Sequence, residues 1–318
     1  MFSITANNAN DAYQEAMELI HRVGVHQISR NGEVISFAEP FLLTIKNPTE
    51  RVVFNPARDA NPFFHVMEAI WMFAGRRDVR WLVPFNARYR DYAEDDGLVH
   101  GAYGHRWRVE DGDQLMRAYN ILLKDPTSRQ VVISMWNAAL DLDSYPYRDR
   151  PCNTSIFLRV VNSKLDMTVL NRSNDIVWGM LGANVVHMTM LQEVMARSLD
   201  LDIGKYRVFS NNAHIYPGMP NYDRIISDLW HHDAYPLGCG SVPLLNGEEG
   251  IEDFLECAQG FCYGYRDMKM KWFKDVAIPM YNSYMARKNG GKGIAELESM
   301  PNCDWKLSCL KWIERRES

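Results

Sequence analysis

The chain has 318 residues, 47% of them hydrophobic and 24% charged, so it is long enough to bury a substantial core. Its formal net charge of -5 excludes a long nucleic-acid footprint but still allows a small anionic ligand held by a few arginines. No apolar run approaches the ~20 residues of a membrane-spanning helix, and the polar start lacks a signal-peptide pattern, so we expect a cytoplasmic protein without a membrane partner.

The six cysteines are spread thinly along the chain, and none forms a Cys-x-x-Cys pair. This spacing favours neither a disulfide framework nor a zinc site, so we expect reduced, mostly structural thiols and no metal. The chain also lacks the glycine-rich dinucleotide motif, the phosphate-binding loop and the His-Glu-x-x-His zinc motif. Hydride transfer on a Rossmann fold, phosphoryl transfer and zinc hydrolysis therefore lose their usual sequence support.

In chain order, residues 10–25 carry apolar side chains at helical spacing, which predicts an amphipathic helix over the core. The Asn31-Gly32 pair then predicts a tight turn, followed by strands near residues 34–37 and 41–45. Arg30 lies at the tip of this turn, where its guanidinium can swing over a bound phosphate. An exposed turn arginine is more often simply solvated, so its position alone does not establish a site.

Residues 61–73 form a strongly apolar stretch that predicts a buried helix, yet Glu68 lies in its middle. Because desolvating a carboxylate is costly, we expect Glu68 to face a polar cavity or to take part in acid–base chemistry, with an exposed helix edge as the alternative. The next stretch, residues 81–108, is rich in aromatic residues and arginines and includes Tyr89 and Tyr103. It is expected to line a cleft, unless it forms only a small satellite core.

After a helix expected at residues 113–123, a turn brings Arg129 to the entrance of an apolar strand at residues 130–136. Cys152 follows a proline and precedes two alternating runs that predict paired strands, and these lead to an Arg-Ser-Asn-Asp cluster at residues 172–175. Thiolates are favoured beside cations, so Arg172 and Arg129 are its expected neighbours. The stretch predicts a cysteine nucleophile facing an anion site.

Residues 183–201 have the spacing of a central helix, and residues 206–209 predict a short strand. If the run that follows is extended, His214 and Tyr216 point the same way. Further helices are expected at residues 221–231, 251–270 and 280–288, before a basic, tryptophan-containing segment at 303–318. With no internal repeat or convincing linker, we expect one domain, residues 1–318, with a helical extension from about residue 217.

Several short motifs, in this order and at fitting separations, resemble the thymidylate synthase superfamily. They are the Glu68 helix from Met67, the runs around Tyr103 and Arg129, Pro151-Cys152, Arg-Ser-Asn-Asp-Ile-Val-Trp-Gly from Arg172, Asn184, and Asn-Ala-His-Ile-Tyr from Asn212. Each is weak alone, but together they are highly specific. The run from Arg172 is more similar to the viral pyrimidine-nucleotide hydroxymethylases than to ordinary synthases. The resemblance implies an α/β (α+β) fold with a mixed, twisted sheet covered by helices and a homodimer interface on one sheet face.

The resemblance also implies a reaction. Cys152 attacks C6 of a pyrimidine 5′-monophosphate, and C5 then takes a one-carbon unit from 5,10-methylenetetrahydrofolate, while Glu68 orders water and moves protons. Tyr103 and Asn184 complete the implied catalytic set. The implied phosphate ligands are Arg30, Arg172, Ser173 and the other subunit's Arg129. His214 and Tyr216 hold the sugar, and Asn184 holds the base. The folate contacts implied are Asp175, Trp178, Tyr89 and Glu68.

Departures from the family pattern bear on the product. A synthase has a histidine after the nucleophile and a second arginine after Arg129, where this chain has Asn153 and Gln130. A synthase also ends in an apolar tail that closes over the folate, whereas residues 312–318 are highly charged. If water reaches the exocyclic methylene intermediate the product is hydroxymethyl, and if water is excluded hydride transfer gives methyl. We therefore expect hydroxymethylation.

The choice of base depends on one amide. Asparagine both donates and accepts, which suits uracil, whereas aspartate would suit cytosine. Counting from Arg172 without a gap puts Ala183 at the base-reading position, and one inserted residue within 180–183 restores Asn184. We expect dUMP, with dCMP as the alternative.

Other readings of the same residues stay open. One is a true thymidylate synthase, and another is a catalytically silent nucleotide- or RNA-binding relative. A cysteine hydrolase using His187 or His214 lacks a surrounding motif. The resemblance points to a virus with modified DNA as the source, which would place the protein in the host cytoplasm.

Overall fold

The computed structural model describes residues 1–228 and 232–317. The strands within this part are β1 (Phe2–Ala6), β2 (Val25–Ser29), β3 (Gly32–Ser36), β4 (Phe41–Ile45), β5 (Val132–Ser134), β6 (Asn153–Val161), β7 (Lys164–Asn171), β8 (Asn174–Asp175), β9 (Asp202–Ser210) and β10 (Ala213–Ile215). The α-helices are α1 (Ala9–Val23), α2 (Pro62–Phe73), α3 (Tyr103–His105), α4 (Gln114–Lys124), α5 (Ala138–Asp141), α6 (Val185–Ser198), α7 (Tyr222–Ser227), α8 (Ile251–Cys262), α9 (Ile278–Lys288), α10 (Ala295–Glu298) and α11 (Asp304–Glu314). Short 3-10 segments lie at Ala87–Tyr92 and Tyr235–Leu237, and π-helical segments at Arg106–Glu110, Ile176–Asn184 and Phe273–Ala277.

The larger sheet has six strands in the order β1-β4-β9-β7-β6-β5. Strands β1 and β4 are parallel, as are β9 and β7, while the other neighbours are antiparallel. The mixed sheet predicted from the resemblance is therefore confirmed. Strands β6 and β7 form the predicted pair after Cys152, joined by Asn162 and Ser163 at φ 50° and 58°, the left-handed geometry of a tight hairpin turn.

A second sheet of four short strands, in the order β2-β3-β10-β8, brings distant segments together. The β2–β3 hairpin ends in the predicted turn with Arg30 at its tip, and Gly32 supplies the positive φ of 101°. Strand β10 pairs with both β3 and β8, so His214 lies opposite Ser36 on one side and Asp175 on the other. Segments nearly 200 residues apart in sequence thus meet beside the start of β6.

Helix α2 is buried along almost its whole length, as its apolar sequence predicts. The Asn61 side chain accepts the backbone N–H of Phe64 and Pro62 opens the first turn, which explains where the helix begins. Helix α6 packs on β7 and β9.

The β5 edge of the larger sheet is uncovered on one face. Val132 and Phe157, cross-strand partners on β5 and β6, are 50% and 40% exposed.

Residues beyond 217 pack into the same hydrophobic core as the sheets. The Tyr235 hydroxyl donates to Asp304 at 2.9 Å and accepts the backbone N–H of Val52 at 3.1 Å. Phe254 of α8 contacts Phe73 of α2 edge to face, with ring centroids 4.9 Å apart. In the described residues, no helix combines the length and the apolarity that crossing a membrane requires.

Several element bounds differ from the sequence prediction. Strand β9 begins at Asp202 rather than near 206, because Gly204 interrupts the alternation while fitting closely against Asp166. Helix α8 ends at Cys262 instead of 270, where the chain turns at Gly264 with φ 96°. The strand predicted at 130–136 is only three residues long. Of the helix predicted at 221–231, Tyr222–Ser227 is observed, and residues 229–231 lie outside the described residues.

A close backbone contact fixes α2 against the Tyr103 segment. A Cβ on Gly104 would lie 2.1 Å from the Met72 carbonyl oxygen. We predict that Gly104→Ala lowers the free energy of unfolding by about 1–3 kcal/mol, because neither backbone can yield freely. Denaturant unfolding measures this, with Gly218→Ala as the control, since a Cβ there meets no atom within 4 Å. Equal stability of the two variants would contradict the prediction.

Candidate active site

Cys152 lies at the entrance to β6, where the backbone is held by a tyrosine. The hydroxyl oxygen of Tyr103 accepts the backbone N–H groups of Cys152 and Asn153 at 3.2 and 3.3 Å. A β-bulge between Asn153 and Ser155 follows at once, and such bulges redirect neighbouring side chains. Both acceptor positions of the hydroxyl are occupied, so its proton is free to donate toward the thiol side. Burial raises the pKa of Tyr103 well above its ordinary value, which keeps this proton in place.

Two arginines act on the Cys152 thiol. Arg172 binds the preceding loop, its Nε donating to the Pro151 carbonyl at 2.9 Å and its backbone N–H to the Cys152 carbonyl at 3.0 Å. Burial raises the pKa of Cys152, the positive charges of Arg172 and Arg30 lower it, and the nearby Asp149 carboxylate raises it. The exposed guanidiniums of Arg172 and Arg30 therefore share the surroundings of the thiol, whereas the sequence predicted Arg172 and Arg129 as its neighbours.

Arg129 stands apart from this cluster within one chain. Its side chain is exposed on the turn before β5, and it makes no hydrogen bond or ion pair with any other residue in the described ranges. A cavity of about 310 Å³ near the same sheet edge is lined by Ser134, Trp136, Thr154, Ser155 and Arg172. Arg172 thus faces Cys152 on one side and an opening toward the uncovered sheet face on the other.

Asn212 connects the two polar clusters that the sequence singled out. Its side-chain oxygen lies 2.9 Å from Nδ1 of His214 and 3.5 Å from the Ser173 hydroxyl. Its backbone carbonyl accepts the N–H of Asn174 at 2.8 Å. The rings of His214 and Tyr216 meet edge to face at 5.1 Å, so the two side chains are neighbours, as predicted.

Glu68 is only 6% exposed, and both of its oxygens face protein groups. The Tyr89 hydroxyl donates to Oε1, and Nε2 of His187 lies 3.1 Å from Oε2. Glu68 therefore faces one polar side chain from the Ala87–Tyr92 segment and one from α6, and not the exposed helix edge that was the alternative. The pairing with His187 joins positions 119 residues apart and has no signature in the sequence.

Asp175 and Trp178 are hydrogen-bonded to each other at the start of the Ile176–Asn184 segment. The Asp175 side chain accepts the backbone N–H of Trp178 at 2.5 Å, and burial raises its pKa to about 6. Its second oxygen is buried and has no hydrogen-bond partner among the described residues. The Trp178 ring is 43% exposed, and the Arg58 guanidinium lies 5.0 Å from its centre while binding the Val177 carbonyl.

Asn184 is half-buried immediately before α6, and its amide donates to the Asn174 side chain at 3.4 Å. Just before it, Leu181 and Gly182 leave the helical conformation. The break falls within residues 180–183, where the resemblance needs one extra residue. Asn184 thus lies beside the 172–175 cluster, directly after this irregular backbone.

Asn153, the residue that replaces the family's histidine, points into the sheet. Its side-chain oxygen accepts the amide of Asn171 on the neighbouring strand, and both residues are buried. The second polar atom of each amide lacks a partner within the described chain. Asn153 is thus tied to β7, and the imidazole nearest to Glu68 comes from α6.

The charged terminal segment is bound to the protein surface. Arg315 and Arg316 donate to Asp59 at 2.9 and 2.7 Å, and the Arg316 guanidinium lies 3.8 Å from the centre of the Trp312 ring. Trp312 in turn packs against Phe63 of α2. These residues pack beside the start of α2, and Ser318 lies outside the described residues.

Four residues that the structure brings to the site had no role in the site implied by the resemblance. Asp149 lies near the thiol, Arg58 lies under Trp178, Asn212 contacts both His214 and Ser173, and His187 faces Glu68. Asn212 had a signal, because it begins a motif already recognised. No group of three or more His, Cys, Asp or Glu side chains in the described ranges is arranged to hold a metal ion.

The fold and this cluster agree with the comparisons to known proteins. The family described as thymidylate synthase matches residues 11–235, and the chain belongs to that family. It is 38% identical to the deoxyuridylate hydroxymethyltransferase of Pseudomonas phage M6, over 99% of this chain and 94% of the relative. Proteins of the same description from Bacillus phage SP01 and Delftia phage PhiW-14 are 31% and 28% identical, covering 80% and 68% of this chain and 68% and 63% of their own length.

The charges around the thiol generate a prediction. Arg172→Gln should move Cys152 alkylation to higher pH, because it removes the strongest influence that lowers the thiol pKa. Asp149→Asn should move it to lower pH. Peptide mass spectrometry after timed iodoacetamide treatment measures both, with Cys239 as the internal control, since neither residue is among the charges that shift its pKa. Shifts in the same direction for both variants would refute this account of the thiol.

Proposed function

We propose that this protein transfers a one-carbon unit to C5 of dUMP and hydrates it, giving 5-hydroxymethyl-dUMP. The observation that carries the proposal is the cluster of Cys152, Arg172 and Arg30, with the buried Glu68 connected to it through Tyr89, which is close enough to feel the charge of Asp149. The relative from Pseudomonas phage M6, matched over 94% of its length, is described as a deoxyuridylate hydroxymethyltransferase. Hydroxymethylation of dCMP and reductive methylation to dTMP are the alternatives. A catalytically silent nucleotide- or RNA-binding role is the alternative from another class.

Binding of the nucleotide follows from the charges and donors around the thiol. Arg30, Arg172 and Ser173 hold the 5′-phosphate, and the positions of the two guanidiniums support this role. His214 and Tyr216 hold the sugar hydroxyl, with the histidine ring fixed by Asn212. Asn184 reads the base edge, donating to O4 and accepting from N3–H of uracil. These contacts place C6 of the ring against the sulfur of Cys152.

Catalysis begins when the Cys152 thiolate bonds to C6 and the ring electrons move toward C5 and O4. Once the one-carbon unit is bonded to C5, loss of the C5 proton, with tetrahydrofolate as the leaving group, would give an exocyclic methylene on the nucleotide. The oxygen of a water molecule then bonds to this carbon and gives its proton to Glu68. Return of the electron pair from O4 forms the C5–C6 double bond and expels the Cys152 thiolate. Tyr103, fixed on the Cys152 loop, donates a proton toward the reacting ring.

The residues that would hold the folate fit a pterin. Asp175 has a buried carboxylate oxygen without a partner in the described chain, which can accept the N–H donors of a pterin edge. The half-exposed Trp178 ring offers a stacking surface, and Tyr89 and Glu68 close the inner wall. When bound, 5,10-methylenetetrahydrofolate supplies the one-carbon unit, and no metal takes part in the proposal.

A homodimer completes the site in this proposal. The exposed Val132 and Phe157 mark the uncovered sheet face, and Arg129 has an exposed, unbonded guanidinium near it within the described structure. Across a twofold axis, Arg129 of each subunit reaches the phosphate site of the other. The chain acts as one domain whose helical extension from about residue 217 supports α2. We place it in the cytoplasm, that of the host if the source is viral, with no nucleic acid or membrane as partner.

The proposed reaction predicts its own product. With dUMP and methylenetetrahydrofolate, we expect stoichiometric 5-hydroxymethyl-dUMP and tetrahydrofolate, because hydration consumes no hydride. Mass spectrometry of the nucleotide and absorbance of dihydrofolate measure the two products. Offering dCMP separately tests the base, with dUMP expected to be preferred by about tenfold or more, the loss for one mispaired hydrogen bond.

Controls separate the alternatives. Stoichiometric dihydrofolate and dTMP would establish a synthase instead. Cys152→Ala should abolish turnover, and unchanged turnover in that variant would remove Cys152 from the mechanism. Nucleotide binding without any product in the wild-type protein would favour a silent binding relative.

Subunit mixing tests the role of Arg129. Arg129→Ala and Cys152→Ala homodimers should each be nearly inactive, yet refolding them together should restore about a quarter of wild-type activity, because half of the dimers then hold one intact site. The matched control mixes Arg172→Ala with Cys152→Ala. Both of those residues belong to one subunit's site, so no site is rebuilt and no recovery is expected. Equal recovery in the two mixtures would contradict the crossing of Arg129.

A further inference from the structure

His187 has a position that the reaction outlined above does not use. It lies in the first turn of α6, is 2% exposed, and its Nε2 lies 3.1 Å from Oε2 of Glu68. The other oxygen of Glu68 accepts the Tyr89 hydroxyl. The carboxylate is therefore enclosed between a phenol and an imidazole.

The surroundings of the His187 imidazole offer its proton one acceptor, Oε2 of Glu68. Neither ring nitrogen has a hydrogen-bond partner of good geometry in the described part of the chain, and Glu68 Oε2 is likewise unsatisfied. Burying such groups without partners is costly. The 3.1 Å approach between these two atoms therefore marks the contact that satisfies both, and it requires the tautomer with the proton on Nε2.

Other charged groups near this pair come from several elements. His65, three residues before Glu68 on α2, is close enough to His187 for the two to influence each other, and Arg58 acts on His65 from the preceding loop. Desolvation, followed by these two charges, lowers the pKa of His65 well below its ordinary value. Tyr89 faces the pair through Glu68.

We propose that His187 is a positioning residue, which donates its Nε2 proton to Glu68 Oε2 and holds that carboxylate oriented to accept the proton of the attacking water. The proposal rests on the proposed function for the identity of the reaction. Asn153 is tied to Asn171, so the imidazole that serves the acid–base carboxylate is supplied by α6. Helix α6 begins right after Asn184, and one element thereby places both the base reader and the partner of Glu68.

The kinetic test compares two substitutions of His187. His187→Leu removes the donor, and we expect kcat for 5-hydroxymethyl-dUMP formation to fall about 10- to 100-fold, the loss expected for one hydrogen bond to a charged group. KM for dUMP should stay within about twofold, because His187 does not touch the nucleotide. The acidic limb of the kcat profile should move to higher pH, since a carboxylate without its donor is protonated more readily.

Conservative rescue distinguishes positioning from packing. His187→Gln keeps an N–H near the position of Nε2 and should restore most of kcat and return the acidic limb toward its wild-type pH. His65→Leu, at a second buried histidine that makes no hydrogen bond or ion pair with Glu68 in the described structure, should leave the acidic limb in place. The proposal fails if His187→Leu and His187→Gln lower kcat equally, or if KM rises in proportion to the fall in kcat. It also fails if His65→Leu shifts the acidic limb as far as His187→Leu does.

A direct observation does not depend on turnover. In protein labelled with ¹⁵N-histidine, the ring signals of His187, assigned by their loss in His187→Gln, should show the Nε2–H tautomer. Glu68→Gln should shift those signals and speed exchange of the Nε2 proton. A proton on Nδ1, or signals unchanged by Glu68→Gln, would overturn the pairing. Wild-type protein that shows the pairing but makes no hydroxymethyl product would defeat only the proposed function.

Discussion

The burial of one carboxylate explains much of how this molecule is arranged. Glu68 lies inside an apolar helix, where an ionised side chain is unstable without compensation. Compensation comes from Tyr89 in a loop segment and His187 on another helix. Helix α2 must therefore lie close to both elements, and the contact of Gly104 with the Met72 carbonyl sets that distance on the remaining side.

The same principle orders the surroundings of Cys152. Burial disfavours the thiolate, and Arg172 and Arg30 oppose that effect, while Asp149 adds to it. The thiol thus lies between opposing charges whose balance changes when an anion engages the arginines. In the proposed complex a dianionic phosphate would neutralise part of the positive field, which would couple its binding to the ionisation of Cys152. The hydrogen bond from the Cys152 backbone N–H to Tyr103 does not depend on these charges, so the backbone at Cys152 stays fixed.

Sequence patterns predicted the parts of this structure that obey local rules. The alternation after Cys152 predicted β6 and β7, and the apolar run predicted α2 with Glu68 inside it. The start of β9 was missed because Gly204 interrupts the alternation. A glycine is needed there because Asp166 packs against it, and this contact between strands cannot be predicted from the local sequence. The partner of Glu68 was out of reach for a related reason: two positions 119 residues apart leave no periodic trace when they meet through a single atom pair.

In the proposed mechanism, the start of α6 carries both the residue that recognises the base and the residue that orients the water-activating carboxylate. The helix begins beyond an irregular stretch at Leu181 and Gly182, with Asn184 just before it and His187 within its first turn. A helix turns about 100° per residue, so two side chains three positions apart lie on one face. A shift of α6 that moved Asn184 relative to the base would move His187 relative to Glu68 by a similar amount. In the proposed mechanism, recognition of the base and orientation of the hydrating carboxylate are therefore constrained by the same backbone.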